Sequence, residues 1–261
     1  MHLYAAATTT RGRRQNNEDA ILVANDLGLY AVADGMGGYE GGEIASALAL
    51  TELANFVRTL HEDRERTWPF PADPARSPAE NVLDQAIRLA HRSVMEARNA
   101  QHPRLGTTIA ALYLAGDRVA IAHVGDSRIY RWRRGRLVAL TTDHSVVAEL
   151  RAAGVLGSEE APPHLRNYVT RALGVEGWLR PTVALDLPEE GDRYLLCTDG
   201  VSSFVPAPEL AEELAFPSRQ GAAERLVHRA LERGSTDNIT AIVIGVGGRG
   251  DDALVHPSAV S

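Results

Sequence analysis

Three strand-length apolar runs follow one another in the middle of the chain, and very short links join them. The runs cover residues 108–114, 119–124 and 129–132, and the links are residues 115–117 and 125–127. Parallel strands need a crossover of a dozen or more residues, whereas antiparallel strands can be joined by a tight turn. The pattern therefore predicts that all three runs pair as antiparallel strands.

Another hairpin is predicted near the N-terminus, and longer apolar periods in separate blocks predict helices. Residues 20–23 and 29–33 are strand-length runs on either side of a turn that contains Asn, Asp and Gly. Apolar residues recur at helical spacing in four segments, namely 42–60, 78–100, 207–215 and 219–233. Ser77 suits the N-cap of the second segment and Pro78 its first turn. Strands in hairpins and helices in separate blocks indicate an α+β fold with antiparallel sheets covered by helices.

Three segments differ from this pattern. Residues 61–77 are charged and then rich in proline, which predicts an exposed, mobile loop. Residues 144–180 combine a short helix with Gly, Pro and charged residues, which is typical of an insert that can move. The Gly-, Asp- and Ala-rich segment 247–261 predicts a disordered tail. We therefore expect a single domain over residues 1–246, with the insert at 144–180.

Composition excludes several classes of mechanism and partner. The 261 residues include 34 Asp plus Glu and 27 Lys plus Arg, so the net charge is −7, and all 27 basic residues are arginine. Mechanisms that need a lysine are excluded, and the acidic balance argues against nucleic-acid binding. Cys197 is the only cysteine, which excludes an intrachain disulfide framework and a cysteine-rich zinc site. No apolar run reaches the roughly 20 residues that span a bilayer, and no signal peptide is visible. We therefore expect a cytoplasmic protein without membrane contact.

The chemical signal is an apolar strand that runs directly into an aspartate beside a glycine. Five aspartates follow this pattern or its reverse, in which the aspartate precedes a strand: Asp34, Asp126 and Asp199, then Asp19 and Asp237. Strand ends of one sheet can converge on a rim, where the carboxylates would repel one another and raise their pKa values. A divalent cation removes that repulsion, and carboxylates, backbone carbonyls and water are the ligands that Mg²⁺ and Mn²⁺ take. Asp-Gly is also common turn chemistry, but several such sites against apolar strands favour a metal site.

Six motifs surround these aspartates, and their order points to a known family. They are Arg14-Gln15-Asn16-Asn17-Glu18-Asp19, Ala33-Asp34-Gly35-Met36-Gly37-Gly38, Gly125-Asp126-Ser127-Arg128, Thr142-Asp143-His144-Ser145, Thr198-Asp199-Gly200 and Thr236-Asp237-Asn238. In this order they resemble the motifs of the metal-dependent PPM (type 2C) Ser/Thr protein phosphatases of bacterial type, over roughly residues 4–246. The resemblance implies a central antiparallel β-sandwich flanked by pairs of helices in four α-β-β-α layers. It also implies that residues 144–180 form a small flap subdomain beside the active site.

The resemblance implies which residues would hold two metal ions. Asp34 would bridge both ions, and Asp199 and Asp237 would complete the first. The backbone carbonyl of Gly35 and ordered waters would serve the second ion, and the glycine would let the backbone bend so that this carbonyl points inward.

Further roles follow from the same resemblance. Glu18 and Asp19 would bind waters held by the metals. Asp126, together with Asp199, would hold a weaker third ion. Arg14 would grip the substrate phosphate, since a planar guanidinium can hold two phosphate oxygens at once.

The implied activity is hydrolysis of phosphoserine and phosphothreonine on proteins. Two Mn²⁺ or Mg²⁺ ions about 3.5–4 Å apart can share a water and lower its pKa towards neutrality. The resulting hydroxide would attack phosphorus in line with the serine or threonine oxygen, in a reaction that needs mainly positioning and charge stabilisation. The expected partners are phosphorylated proteins, a cognate Ser/Thr kinase and its targets among them, and the enzyme is expected to be a monomer.

Two features depart from the family pattern. Eukaryotic members often carry a histidine near the first Asp-Gly motif as a suggested general acid, but Met36 follows the motif here and no matching histidine is found. Gly12 lies one residue closer to Arg14 than in relatives. Three residues of the flap either face the substrate or anchor the flap to the body: Asn167, Thr170 and Arg171.

Non-catalytic interpretations compete with the functional ones, both for the whole chain and for single residues. A non-catalytic metal-binding signalling scaffold of the same fold is the alternative function, and missing ligands would favour it. His123 lies in an apolar strand and Cys197 alternates with buried neighbours, so both are expected in the core. Asp143 and His144 are expected to cap the helix that begins near Ser145.

Overall fold

A computed structural model describes residues 1–37, 41–63, 67–157, 161–165, 168–175, 177 and 179–247. The described residues form eleven strands: β1 (Leu3–Thr10), β2 (Asp19–Ala24), β3 (Leu29–Met36), β4 (Gly106–Thr107), β5 (Ile109–Ala115), β6 (Arg118–Val124), β7 (Arg128–Arg133), β8 (Arg136–Ala139), β9 (Thr182–Asp186), β10 (Arg193–Cys197) and β11 (Ile239–Val246). Six α-helices accompany them: α1 (Gly42–Glu62), α2 (Pro78–Ala97), α3 (Val146–Ala152), α4 (Asp199–Ser202), α5 (Ala207–Leu214) and α6 (Arg219–Glu232).

Two antiparallel sheets pack face to face between two layers of helices. One sheet has the order β1-β11-β10-β7-β8, and the other has the order β2-β3-β5-β6-β9 with β4 beside β3. Helices α1 and α2 pack on the second sheet, and α4, α5 and α6 pack on the first. A third apolar cluster fills the space between the sheets. These four layers confirm the predicted α+β fold and its α-β-β-α order.

Alternation along the central strands assigns each side chain to one of two cores. In β3, Leu29 and Ala31 pack with the helices, whereas Tyr30 and Val32 pack between the sheets. Successive side chains of a strand point to opposite faces, and both faces are covered here. This explains why β3 reads as a continuous apolar run that becomes polar only where the strand reaches the rim.

The link at residues 125–127 corrects one sequence prediction. The link at 115–117 joins a true hairpin, because β5 and β6 pair from Ala115 and Arg118 onward. By contrast, β6 and β7 lie in different sheets and do not pair. Gly125 has a φ of +105°, and a Cβ there would meet the Thr108 side chain at 2.6 Å. A tight link can therefore also cross between stacked sheets, and this crossing carries Asp126 to the rim.

The predicted mobile loop holds specific hydrogen bonds over its second half. Helix α1 extends to Glu62, and residues 64–66 lie outside the described part of the chain. The backbone N–H of Phe70 donates to Gln85 Oε1 (2.9 Å), and the N–H of Asp73 donates to Asn81 Oδ1 (2.8 Å). The mobility of this loop stays a prediction, as does the domain boundary at 246, since residues 248–261 lie outside the description.

Three edge strands were not predicted from the sequence. Strands β1, β8 and β9 lie at the edges of the two sheets. Edge strands bury less of their surface, so their sequences alternate weakly and carry Thr or Arg at several positions. None of the described helices is long and apolar enough to cross a membrane.

Candidate metal centre and active site

One cleft of about 490 Å³ at the rim of the sandwich brings most of the predicted site residues together. Seven of the eight line it: Arg14, Glu18, Asp34, Gly35, Asp126, Asp199 and Asp237. Asp19 is the eighth and lies directly behind, as the register partner of Asp34 in the β2–β3 pair. The residues are far apart in sequence and meet because the ends of β3, β6 and β10 and the start of β11 reach the same rim.

Two threonines hold the Asp34 backbone in place. The Asp34 N–H donates to Thr108 Oγ1 (3.1 Å), and the Thr107 hydroxyl donates to the Asp34 carbonyl oxygen (2.9 Å). Thr108 also shares a 2.8 Å backbone hydrogen bond with that carbonyl and a 2.7 Å contact with the hydroxyl of Ser127. Both threonines are buried. Sequence reasoning missed this clamp, although the pair stands at the start of a predicted strand.

One carboxylate oxygen of Asp19 accepts two hydrogen bonds, and the other has no hydrogen-bond partner. Its Oδ2 accepts hydrogen bonds from the hydroxyls of Thr198 (2.9 Å) and Thr240 (2.6 Å). Thr198 directly follows β10, and Thr240 lies in β11. Its Oδ1 is buried and has no hydrogen-bond partner. Burial, followed by repulsion from Asp199 and Asp237, raises the pKa of Asp19 to about 7 despite the two hydroxyls.

Asn238 ties three segments of the site together. Its side-chain Oδ1 accepts from the Glu18 N–H (2.8 Å), and its Nδ2 donates to the carbonyls of Arg11 (3.1 Å) and Asn16 (2.8 Å). The loop that carries Arg14 is thereby fixed to the start of β11 and to Glu18. The Thr236-Asp237-Asn238 motif named this residue, but its role appears only in the folded chain.

The glycines that follow Asp34 and Asp199 are required by close packing. A Cβ on Gly35 would lie 2.0 Å from the Gly42 carbonyl oxygen, and a Cβ on Gly200 would lie 1.9 Å from the Asn238 carbonyl oxygen. Neither glycine has a positive φ. The backbones of neighbouring motifs therefore approach to within contact distance at both aspartates, a role different from the backbone bend expected at Gly35.

The cleft concentrates buried negative charge. Burial and repulsion from Asp19, Asp199, Asp126 and Asp237, in that order, raise the pKa of Asp34 well above its usual value. Burial, then Asp199 and Asp143, raises the pKa of Asp126 to about 7. The pKa of Asp199 is also raised, first by burial and then by Asp237. A bound cation would therefore favour the ionised form of these carboxyl groups.

The donor set fits a hard divalent cation in kind. Asp19 Oδ1 and Asp199 Oδ1 are buried oxygens without partners, which is the condition that a bound cation relieves. Among the described residues, no three acidic, histidine or cysteine side chains already stand in a metal-holding group. A bound cation would offset the repulsion among these carboxylates.

Arg14 is the cation of the cleft. Its Nη2 donates to Asp237 Oδ2 at 2.9 Å, and the side chain is 56% exposed. The remaining N–H groups of the guanidinium are open to a ligand in the cleft. The phosphate-holding role of Arg14 stays a prediction, and the structure shows its guanidinium at the cleft beside Asp237.

The flap contributes one wall of the cleft, and the three flap residues singled out in the sequence differ in where they lie. Tyr168 and Val169 line the cleft. The Thr170 hydroxyl donates to Glu149 Oε1 (2.7 Å), so Thr170 anchors the flap to its own helix α3. Arg171 lines a neighbouring cleft. Asn167 lies outside the described residues.

The interpretations of the histidines and the cysteine hold only in part. His123 is buried and its ring stacks on that of His144, with centroids 4.5 Å apart. Ser145 caps α3 by accepting from the Ala148 N–H, and His144 accepts from the Gly125 N–H instead of capping the helix. Asp143 is also no cap, since both its oxygens bind Arg128 at 2.7 Å. Cys197 is buried in the core, and burial raises its pKa to about 12.

Comparison with known proteins places the chain in a family. The protein phosphatase 2C family model matches residues 8–234. The serine/threonine protein phosphatase PstP of Mycobacterium tuberculosis is 38% identical over 247 residues, which cover 92% of this chain. The chain spans 44% of the length of that relative. The serine/threonine phosphatase stp of Listeria welshimeri is 34% identical over 93% of this chain and 95% of its own length.

A solved structure agrees with both the fold and the family. The crystal structure of the catalytic domain of the serine/threonine protein phosphatase PstP in complex with two manganese ions is 33% identical, with a TM-score of 0.78. The match covers 94% of this chain and 98% of that one. With a family match over most of its length and relatives above 30% identity, the chain belongs to the protein phosphatase 2C family.

Proposed function

We propose that this chain is a metal-dependent serine/threonine protein phosphatase that hydrolyses phosphoserine and phosphothreonine on proteins. The observation that carries the proposal is the single cleft in which Asp34, Asp199 and Asp237 meet one arginine, Arg14. Every acidic residue with a proposed metal role is present, and all of them except Asp19 line this cleft. The alternative of a non-catalytic scaffold would be favoured by missing ligands, and none is missing.

We assign the metal-holding roles to the chain's own oxygens. Asp34, Asp199 and Asp237, together with the carbonyl of Gly35, would hold two Mn²⁺ or Mg²⁺ ions, as two manganese ions are held in the PstP catalytic domain. When bound, these ions neutralise phosphate charge and lower the pKa of a water. Asp126 would serve a third ion.

The remaining residues position the ligands and the substrate. Glu18 and Asp19 would orient waters, and the two hydroxyls on Asp19 Oδ2 leave its Oδ1 free for that purpose. Arg14 would hold two phosphate oxygens while keeping its contact with Asp237. The phosphorus would gain the oxygen of water, and the serine or threonine oxygen would leave with a proton. No histidine lies among the described residues that line the cleft.

The test is hydrolysis of p-nitrophenyl phosphate and of a phosphothreonine peptide, with Mn²⁺ and with EDTA. Activity should require Mn²⁺ and should be lost in Asp199→Ala. Asp117→Ala is the matched control, because Asp117 is an exposed aspartate in the β5–β6 turn. Activity that persists in EDTA, or in Asp199→Ala, would contradict the proposal.

The expected partners are phosphorylated proteins, with a cognate Ser/Thr kinase among them. Incubation with phosphorylated kinases from the same organism, followed by mass spectrometry of their phosphosites, measures this directly. The monomeric state is tested by light scattering, and the cytoplasmic location by cell fractionation.

A further inference from the structure

A second cleft opens beside the active-site cleft and differs from it in charge. It has a volume of about 430 Å³ and shares Met36 and Val169 with the active-site cleft, so the two adjoin at these residues. Its other walls come from the flap and from α2, through Arg171, Leu179, Arg180 and His91. Among its described lining residues there is no acidic side chain, whereas five acidic residues line the active-site cleft.

The two arginines of this second cleft are available to a ligand. Arg171 is exposed, and its Nη1 lies 3.4 Å from His144 Nε2. His144 Nε2 does not accept a hydrogen bond from Arg171. His144 Nδ1 accepts from the Gly125 N–H, so the proton of the neutral imidazole is on Nε2. Arg180 is 64% exposed and lies 3.7 Å from Asp73, at the outer limit of an ion pair. Within the described part of the chain, neither arginine has a close acidic partner.

The positive character continues past Arg180. A third concavity shares Leu179 and Arg180 with the second cleft and is lined in addition by two arginines and two aspartates: Arg76, Arg88, Asp73 and Asp84. Arg76 is paired with Asp84 at 2.6 Å. With three arginines against two aspartates, this concavity keeps a net positive charge on a protein whose overall charge is −7.

We infer that the second cleft binds acidic residues of the substrate protein next to its phosphorylated residue. This inference rests on the proposed function and adds a substrate class to it. A polypeptide with its phosphate in the active-site cleft can run past Met36 and Val169, which line both clefts. Carboxylates on that segment would meet Arg171 and then Arg180. The CH₂ groups of the same acidic side chains would contact Val169 and Leu179.

Charge complementarity favours an acidic segment over a neutral or basic one. An acidic substrate is repelled by the overall charge of −7, so a local positive path is what allows its approach. Each exposed ion pair is worth about a two- to fivefold change in affinity at most, and salt screens it. The cleft therefore tunes selectivity among phosphoproteins and leaves the chemistry of the phosphate unchanged.

The experiment compares three phosphothreonine peptides of equal length. One has alanine on both sides, one has aspartates on the amino-terminal side, and one has them on the carboxyl-terminal side. The aspartates occupy positions two to five from the phosphothreonine, which in an extended chain lie about 7–17 Å away. Since the cleft leaves the active site on one side only, one acidic peptide should have a kcat/KM about two- to fivefold or more above that of the alanine peptide.

Arg180→Glu should abolish or reverse this preference and leave the rate on p-nitrophenyl phosphate unchanged. Arg118→Glu is the matched control, because Arg118 is an exposed arginine at the opposite end of β6 from Asp126. Raising the salt concentration should weaken the preference in the wild type alone. Equal kcat/KM for all three peptides, or an unchanged preference in Arg180→Glu, would overturn the inference.

A binding measurement separates this inference from the proposed function. If p-nitrophenyl phosphate is not hydrolysed with Mn²⁺, the proposed function fails, and fluorescence anisotropy of the same labelled peptides then tests the cleft. Tighter binding of one acidic peptide, lost in Arg180→Glu, supports the cleft in that case as well. Equal binding of all three peptides overturns it.

Discussion

The proposed roles of Arg14 require one side chain to contact both a metal-ligand carboxylate and the substrate phosphate. It donates to Asp237 at 2.9 Å while more than half of its side chain stays exposed to the cleft. A guanidinium carries five N–H groups in a fixed fork, so it can hold Asp237 and a phosphate together. An ammonium group is a point charge and cannot keep both contacts in this geometry.

Arg14→Lys should therefore lower kcat/KM about tenfold on both a phosphothreonine peptide and p-nitrophenyl phosphate. A charge-assisted hydrogen bond is worth about 1.5–3 kcal/mol, and we take the low end because Arg14 is exposed. Arg118→Lys serves as the control. Loss on the peptide alone would instead indicate that Arg14 binds the polypeptide, as proposed for Arg180.

Asp34 is expected to destabilise the metal-free fold although the proposed activity requires it. Its carboxyl group lies beside four other aspartates, and burial, followed by repulsion from them, raises its pKa. An uncompensated buried charge is costly, and removing it commonly stabilises a fold.

Asp34→Asn should raise the Tm of the metal-free protein at pH 8 and abolish the further increase that Mn²⁺ gives to the wild type. Activity should fall by more than about a hundredfold, since even residues that only support a metal ligand cost 10–100-fold. Differential scanning fluorimetry with EDTA and with Mn²⁺ measures both effects. A lower Tm without metal would show that Asp34 is stabilising, contrary to this account.

At the scale of elements, the site depends on how closely the motif backbones approach one another. Helix α4 begins at Asp199 directly after β10, and β11 begins directly after Asn238. Gly200 lies against the Asn238 carbonyl, so the distance between Asp199 and the β11 motif is set by the absence of a side chain. The same holds for Gly35 against α1.

Gly200→Ala should lower Mn²⁺ affinity and activity by tenfold or more, because about 1–3 kcal/mol of overpacking must push Asp199 or Asn238 aside. Gly116→Ala is the matched control: a Cβ there meets nothing within 4 Å, and its φ of +68° alone costs about 1–2 kcal/mol. The control should lose stability but keep its metal affinity and kcat. Equal loss of activity in both variants would mean that stability alone is responsible.

At the scale of the whole molecule, the rim makes the stability of the metal-free protein depend on pH. Asp19 and Asp126 have pKa values of about 7 in the folded chain, above the ordinary value of 3.8 in the unfolded chain. The folded state therefore binds more protons, and the stability linked to these groups is present at acidic pH and lost as pH rises through 7. His123 and His144 have lowered pKa values and act in the opposite direction, but only below about pH 6.5.

The free energy of unfolding of the EDTA-treated protein should therefore fall between pH 6.5 and 8.5, by about 1 kcal/mol per pH unit. Saturating Mn²⁺ should reverse the slope, because protons and cations compete for the same oxygens. Urea titrations at several pH values, with and without Mn²⁺, measure this. A stability that rises over this range without metal would contradict the raised pKa values.

The helices and the acidic rim were predictable because each has a local signature. Helix α2 begins at Pro78 with Ser77 as its cap, and the capping box with Glu80 is visible in the sequence. The aspartates of the rim each abut an apolar strand, so their shared position follows from strand polarity. The sheet change at residues 125–127 was not predictable, because a three-residue link looks the same whether it closes a hairpin or crosses between sheets.

The sequence by itself determined the helices, the central strands, the list of acidic residues and the choice of Arg14, since these depend on residue type and local order. Only the tertiary structure decided that Asn238 ties the Arg14 loop to Glu18 and that two threonine hydroxyls donate to Asp19. It also decided that Arg171 and Arg180 line one cleft. Such contacts join residues up to about 220 positions apart. Their partners are set by how two sheets stack and which strand ends share a rim, and nothing in the local sequence encodes those distances.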